Sequence, residues 1–328
     1  MNILSLFDGI SCGRVALERA NINVKKYYAS EIDKYAIQVS QNNYPDIIRL
    51  GDINNWESWD IDWSSIDLIL AGSPCQGFSL CGKGAGTKAT VAGEEHIVTT
   101  KEQYIEMKKA GAKFLSQSHL FWEFILILFY AKTFNNNVKF MLENTRMRAE
   151  YLQMITNTLG VDCITIDSRV LSAQGRIRNY WCNWKVKQPS STCKTLKNVA
   201  HEYNDNNIDL SNYIIDKKYH DEFVVEDLTK RSIGYIRTNH SGNRVHNHNF
   251  PAFTLKAMCG GGAAKMGQYF FGAYPDDFYI RRLTPIECER LQTLPDNYTA
   301  GISNSQRYKC LGNGWTVDVI AHILKSMN

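Results

Sequence analysis

The 328-residue sequence contains no CxxC pair, no apolar run long enough to cross a bilayer, no internal repeat and no low-complexity segment. Its nine cysteines are an odd number scattered through apolar and loop contexts. That excludes a disulfide framework and a structural zinc site, and points to a reducing, cytoplasmic compartment. The most apolar stretch, LFWEFILILFYA at 120–131, is too short for a membrane span and carries Glu123, so a buried helix is expected and no membrane partner. The start, MNILSLFDGIS, lacks the basic leader of a signal peptide and turns polar early. A strong charge excess is also missing. The net charge of +4 is compatible with a nucleic-acid partner without demanding one. What is present is the balance of a globular chain, 44% hydrophobic and 21% charged, long enough for one large domain or two ordinary ones.

Short strand-like runs alternate with helical patterns through the first half: NILSLF, KKYYAS, DIIRLGDI, DLILAGS, VKFMLEN, VDCITIDS and RNYWCNW. Such alternation predicts an α/β fold on a parallel sheet. From about residue 186 the rhythm fails, and a polar stretch rich in Asn, His, Lys and Tyr runs to about 280 with weak strand signals. Helical spacing returns in LTPIECERLQTL and VDVIAHILKSM. The expected organisation is a discontinuous domain of residues 1–185 plus 281–328, with a smaller, mostly irregular or β domain at 186–280.

The first strand runs into LFDGISCG, a tight turn in which Gly9 and Gly13 let backbone approach a ligand closely. It is not the GxGxxG dinucleotide fingerprint, which counts against a nicotinamide dehydrogenase. Asp8, Glu31 and Asp52 stand at three successive strand ends. Acids there suit a ligand with an amino group, a ribose and an adenine, and would repel a pyrophosphate; the plain alternative for each is helix capping. The fourth apolar run ends at SPCQG and the later one at ENT, which sets Cys75 beside Glu143 and Asn144 at strand ends, where open α/β folds keep their chemistry.

The ordered set FDGISCG, SPCQG, ENT, QGRIR at 174–178, RRLTPIECERLQTLPDNY at 281–298 and GNGWTV at 312–317 resembles the DNA (cytosine-5) methyltransferase family nearly end to end, in its compact bacterial or phage modification form. The resemblance implies a Rossmann-like sheet, S-adenosylmethionine as donor, no metal, and cytosine in duplex DNA as acceptor. It also implies a cytoplasmic enzyme of a bacterium or phage-infected host, expected to be a monomer, with a separately acting restriction endonuclease as an open question. By resemblance the donor site takes Phe7, Asp8, Gly9, Ile10, Gly13, Glu31, Ile32, Asp52, Ile53, Pro74, Leu120, Asn313 and Thr316, with Trp315 as packing. Asp8 and Ile32 depart from the commoner small and aromatic residues at their places.

The chemistry of the residues agrees. Carbon 5 of cytosine is a poor nucleophile until a thiolate adds at carbon 6, the part suited to Cys75. The charge that then builds on ring nitrogen 3 calls for a protonated acid, the part suited to Glu143. Asn144 is expected to hold the strand end, Arg178 to approach the base carbonyl or a phosphate, and Arg176 to order the catalytic loop. A stacked base is out of reach, so it must be flipped, and the Gly- and Thr-rich segment 77–101 is expected to act as a lid. Gln76, Ser79 and Lys83 near the nucleophile, and Arg231, Arg237, Asn239 and Arg244 in the polar region, are the expected DNA contacts. His240, His246 and His248 lack a matching cysteine pair for a metal. Transfer-RNA methylation and a catalytically silent DNA-binding scaffold are the competing readings.

Overall fold

Alternation of side chains along each central strand sorts the core into two layers. Ile3, Leu68, Leu70 and Met141 face one side of the main sheet, whereas Leu4, Leu6, Ile69, Ala71, Phe140 and Leu142 face the other. Strands buried on both faces read as continuous apolar runs, which is why DLILAGS and VKFMLEN stand out in the sequence. The computed structural model describes the chain except residues 79–85, 202–208, 216–218, 220–221, 240–241, 258–266, 276 and 328. Ser79, Lys83 and His240 therefore lie outside the described residues.

In chain order the first part contains β1 (Asn2–Leu6), α1 (Cys12–Arg19), β2 (Lys26–Ser30), α2 (Lys34–Asn43), β3 (Ile48–Arg49), β4 (Leu68–Gly72), β5 (Lys88–Val91), β6 (Glu94–Ile97), α3 (Lys101–Lys109), β7 (Lys113–Phe114), α4 (Leu120–Phe134), β8 (Lys139–Thr145), α5 (Ala149–Leu159), β9 (Cys163–Asp167) and β10 (Ile177–Cys182). Then follow β11 (Phe223–Val225), β12 (Ser232–Ile236), β13 (Arg244–Asn247), β14 (Gln268–Ala273) and β15 (Asp277–Arg281). The chain closes with α6 (Pro285–Leu291), α7 (Asn304–Asn313) and α8 (Val317–Lys325).

The main sheet has seven strands in the order β3-β2-β1-β4-β8-β10-β9. It is mixed, and here the expectation of a parallel sheet is corrected: β10 runs antiparallel to both β8 and β9. The reason is connection length. Only residues 168–176 link β9 to β10, too few for the helical crossover a parallel pair needs. The apolar stretch 120–131 is α4, whose Phe121, Trp122, Phe124 and Ile125 are buried in one layer with Tyr104 of α3 and Ile155 of α5. Glu123 in its first turn is buried as well, and accepts bonds from Trp56 Nε1, Tyr104 Oη and Lys108 Nζ. No helix is long and apolar enough to cross a membrane among the described residues.

On the other face α8 packs against α1, tied by Arg19 to Asp318 at 2.6 Å, and is joined to the segment after β10 by Trp184 Nε1 donating to the Ile323 carbonyl. Thr284 and Glu287 cap α6 reciprocally, with Pro285 at its first turn. The polar region carries more regular structure than its weak signals suggested. Strands β11 to β15 form a five-stranded sheet in sequential order, antiparallel except for β13 with β14, over a small core of Ile233, Ile236, Val245, Phe270 and Ile280. Within 77–101, of which 79–85 lie outside the described residues, β5 and β6 form a hairpin, and β7 beyond the segment adds a third strand to it.

Candidate active site

The chain lays strands from β1 outward through β2 and β3 to one edge, then returns to β4 and continues through β8 towards the other. The loops after β1 and β4 therefore diverge and leave a crevice at the carboxyl ends of these strands, the topological switch point where open sheets bind ligands.

The loop after β1 is unusual in its backbone. Phe7, Gly9 and Ser11 all have φ near 60° (58°, 59° and 60°), a region natural to glycine and strained for the other two. A Cβ on Gly9 would meet nothing within 4 Å, so this turn opens onto free space. Asp8 turns inward from it. Its carboxylate accepts from Tyr27 Oη at 2.7 Å and Ser11 Oγ at 2.5 Å, and lies 3.8 Å from Arg49. Burial raises the Asp8 carboxyl above its usual range, and the bonds from Ser11 and Tyr27 draw it back. Asp8 thus joins β1, β2 and β3 beneath the crevice.

Glu31 holds the crevice rim. Its Oε2 accepts from the Gly9 amide, and Oε1 from the amides of Ile32 and Asp33, all at 2.8 Å. Burial pushes this carboxyl up, and those three amides counteract it. Beside it the Ile32 side chain is 67% exposed, a large apolar group facing open space. Asp52 caps the short helical turn that follows it, with Oδ1 accepting from the Asn54 amide at 2.9 Å, and Ile53 is buried behind. Pro74 and Leu120 are half-buried, and Ile10 and Gly13 are buried. Asn313 is exposed at the end of α7, whereas the Thr316 hydroxyl is inside, donating to Gln292 Oε1 at 2.8 Å.

At the ends of β4 and β8, Gly72 pairs in register with Glu143, which sets Cys75 three residues beyond that pair. Asn144 Nδ2 donates to the carbonyl and Oγ of Ser73 at 3.2 and 3.1 Å, joining the strand end to the turn that carries Pro74 and Cys75. The turn is fixed further on, where the Phe78 amide donates to the Cys75 carbonyl and the Gly77 amide to Ser118 Oγ. Cys75 is half-buried. Burial chiefly, then the Glu143 charge, pushes its thiol up, while Arg178 and Arg176 pull it down. The thiol, the carboxyl and the two guanidiniums thus share one field.

Both carboxyl oxygens of Glu143 are held. Oε1 lies 3.0 Å from Arg178 Nε across the β8–β10 pair, and Oε2 accepts from Trp315 Nε1 at 3.1 Å. The Trp315 contact was not foreseen; the only trace in the sequence is a tryptophan between Gly314 and Thr316. Arg176 points elsewhere. Its guanidinium donates to the carbonyls of Leu255, Gly312 and Gly314 at 3.0, 3.0 and 2.9 Å, buried among backbone. Gly312 permits that junction, since a Cβ there would fall 2.2 Å from the Lys256 carbonyl carbon. Gln174 adds to it, accepting from the Leu255 amide and donating to the Leu291 carbonyl.

Gln76 is exposed beside Cys75. Of the expected DNA contacts farther on, Arg231 donates to the carbonyls of Pro251 and Ala252 and stacks over Phe253, with its carbon 3.7 Å from the ring centre. Arg237 pairs with Glu222 at 2.6 Å and lies over Tyr219, and Asn239 reaches Glu226 at 3.5 Å. Arg244 is half-buried on β13. His246 Nδ1 bonds Ser232 Oγ and His248 Nδ1 bonds the Phe270 carbonyl, and no cluster among the described residues is arranged for a metal ion.

A family model described as C-5 cytosine-specific DNA methylase matches residues 1–115 and 107–328. The Type II methyltransferase M.HhaI of Haemophilus parahaemolyticus is 26% identical over 332 residues, covering 98% of this chain and 93% of that protein. The orphan methyltransferase M.SPBetaI of Bacillus phage SPbeta is 24% identical over 441 residues, 100% of this chain and 97% of the relative. Among solved structures, a DNA modification methyltransferase, described as putative and encoded within an Escherichia coli prophage, shares the fold with a TM-score of 0.62 at 15% identity, covering 100% of this chain and 98% of that one. A family match running from one end of the chain to the other makes this protein a member of the C-5 cytosine-specific DNA methylase family, and its activity that of a DNA cytosine methyltransferase.

Proposed function

We propose that the chain methylates carbon 5 of a cytosine flipped out of duplex DNA, through a transient covalent bond from Cys75, with S-adenosylmethionine as the donor. The observation that carries this reading is the convergence of Cys75 and Glu143 at neighbouring strand ends of the switch-point crevice, within reach of each other's charge. When bound, the donor supplies an electrophilic methyl group on a sulfonium. The crevice suits it. Open space over Gly9, the apolar face of Ile32 and the acids Glu31 and Asp52 match a backbone-proximal ligand with an adenine, a ribose and an amino group. Glu31 Oε2 retains acceptor capacity for a ribose hydroxyl, and Asp52 Oδ2 is the acceptor assigned to the adenine amino group. Phe7, Ile10, Gly13, Ile53, Pro74 and Leu120 would wall the pocket, with Asn313 at its mouth.

In this mechanism Cys75, once its thiol proton has passed to solvent, bonds carbon 6 as the thiolate while Glu143 gives its proton to ring nitrogen 3, so the charge entering the ring is neutralised where it collects. Carbon 5 then takes the methyl group as the donor's carbon–sulfur bond breaks. Loss of the carbon 5 proton to a base and return of the nitrogen 3 proton to Glu143 release the Cys75 thiolate and restore the aromatic ring. Asn144 keeps the Cys75 turn in register with β8, and Arg178 contacts the base carbonyl or a phosphate. Arg176 acts from behind, by fixing the backbone around Gly312 and Gly314.

Residues 1–185 plus 281–328 form the catalytic domain in this reading, and 186–280 the target-reading domain, whose last strand runs into the boundary. Gln76, Ser79 and Lys83 beside the nucleophile, and Arg244 on β13, are assigned to DNA. Arg231, Arg237 and Asn239 must exchange their present partners to join them. The test is Cys75→Ala with tritiated donor and a duplex substrate. Loss of all methyl transfer, together with a covalent adduct between the wild-type chain and a 5-fluorocytosine duplex, is expected; a fully active alanine variant refutes the nucleophile.

A further inference from the structure

We propose that Trp315 is a positioning residue for Glu143, selecting the carboxyl oxygen that carries the proton. This rests on the reading of Glu143 as the acid. An indole N–H donates and cannot accept, so the oxygen it faces is kept in the acceptor role. Trp315 Nε1 faces Oε2, and Arg178 Nε faces Oε1. Both donors engage the carboxylate before substrate arrives; only one of them is free to leave.

The two differ in how they are held. Arg178 is a long, partly exposed side chain on β10, with one further bond from Nη1 to its neighbour's carbonyl. It can turn to a base carbonyl or phosphate. Trp315 is wedged in place. A Cβ on Gly72 would stand 2.9 Å from its Nε1 and 3.1 Å from Cζ2, and one on Gly13 would stand 3.4 Å from Cζ3, so the ring fills the space that two glycines leave. The backbone on either side is pinned, with the Gly314 carbonyl accepting from Arg176 and Gln292, and the Thr316 hydroxyl donating to Gln292. When Arg178 engages DNA, Oε1 is vacated and Oε2 is not. A proton taken up from bulk solvent then resides on Oε1 and passes from there to ring nitrogen 3, leaving Glu143 as a carboxylate, still held by Trp315 at Oε2, and the proton returns to that carboxylate when the product forms.

The test is Trp315→Phe, which keeps most of the ring against Gly72 and deletes the N–H. Single-turnover methyl transfer is expected to fall about tenfold to a hundredfold, the range of one hydrogen bond to a charged group. Dissociation constants for S-adenosylmethionine and for duplex DNA should change by less than about twofold, since neither ligand loses a contact. In a Glu143→Ala background the same substitution should cost nothing more. A wild-type rate in Trp315→Phe, or an equal loss with and without Glu143, overturns the proposal while leaving Glu143 as the acid. Wild-type turnover by Glu143→Ala removes the reading of Glu143 itself. Should Trp315→Phe fold poorly or turn over too slowly, the indole ¹⁵N–¹H resonance of Trp315, compared between the wild-type chain and Glu143→Ala, decides. It is expected to shift upfield in Glu143→Ala, and an unmoved resonance overturns the hydrogen bond.

Discussion

Replacing Arg176 by alanine should damage the fold before it damages the chemistry. Its guanidinium donates three bonds of 2.9–3.0 Å to carbonyls of Leu255, Gly312 and Gly314, two of them at the carboxyl end of α7, where a cation also meets the negative end of the helix dipole. A hydrogen bond from a charged donor contributes about 1.5–3 kcal/mol. Three in one network are less than additive, so a loss of about 4 kcal/mol is expected, a large part of the 5–15 kcal/mol typical of a folded domain. With a urea slope of about 3 kcal/mol per molar, the unfolding midpoint followed by tryptophan fluorescence should fall by about 1 M. Lysine, able to reach one carbonyl at a time, should recover about a third of that. A variant with an unchanged midpoint that has lost methyl transfer would refute this assignment and put Arg176 among the groups that touch substrate.

Two further outcomes follow from the site. Because burial and the Glu143 charge push the Cys75 thiol above its ordinary range, alkylation of Cys75 by iodoacetamide, read by peptide mass mapping, should be slow at neutral pH. Its rate should still be climbing steeply above pH 8.5, where a free cysteine is already half thiolate. A plateau below that point would show a thiolate already formed in the free protein. Glu31→Gln should weaken S-adenosylmethionine binding by about tenfold or more in calorimetry, since one oxygen that accepts the Gly9 amide or a ribose hydroxyl becomes a donor. Unchanged affinity would move the ribose away from β2.

Some elements were legible because their causes are local. The apolar run 120–131 with its single acid reads as a buried helix, and α4 is one, with Glu123 satisfied by Trp56, Tyr104 and Lys108. Thr284, Pro285 and Glu287 mark a helix start in four residues, and α6 begins there. Other elements were not legible. A strand's apolar pattern carries no direction, so β10 was read as parallel until the short link from β9 made it antiparallel. The sheet of β11 to β15 rests on a core of few apolar residues, too sparse to outweigh the polar composition around it. Arg231 and Arg237 looked free for DNA because a list of residues does not show the Ala252 carbonyl or the Glu222 carboxylate that each one meets.

The sequence by itself determined which chemical groups stand at the strand ends: a thiol after β4, a carboxyl and an amide at the end of β8, and acids after β1, β2 and β3. Apolar runs and glycine turns of a few residues suffice for that, since the forces that shape them act between near neighbours. Only the tertiary structure decided how those groups are held. Trp315 meets Glu143 across 172 positions of sequence, and Arg176 meets Gly314 across 138. Such contacts have no periodicity to betray them, because they exist only once two helical layers have closed on the sheet and brought the carboxyl-terminal turn against its strand ends.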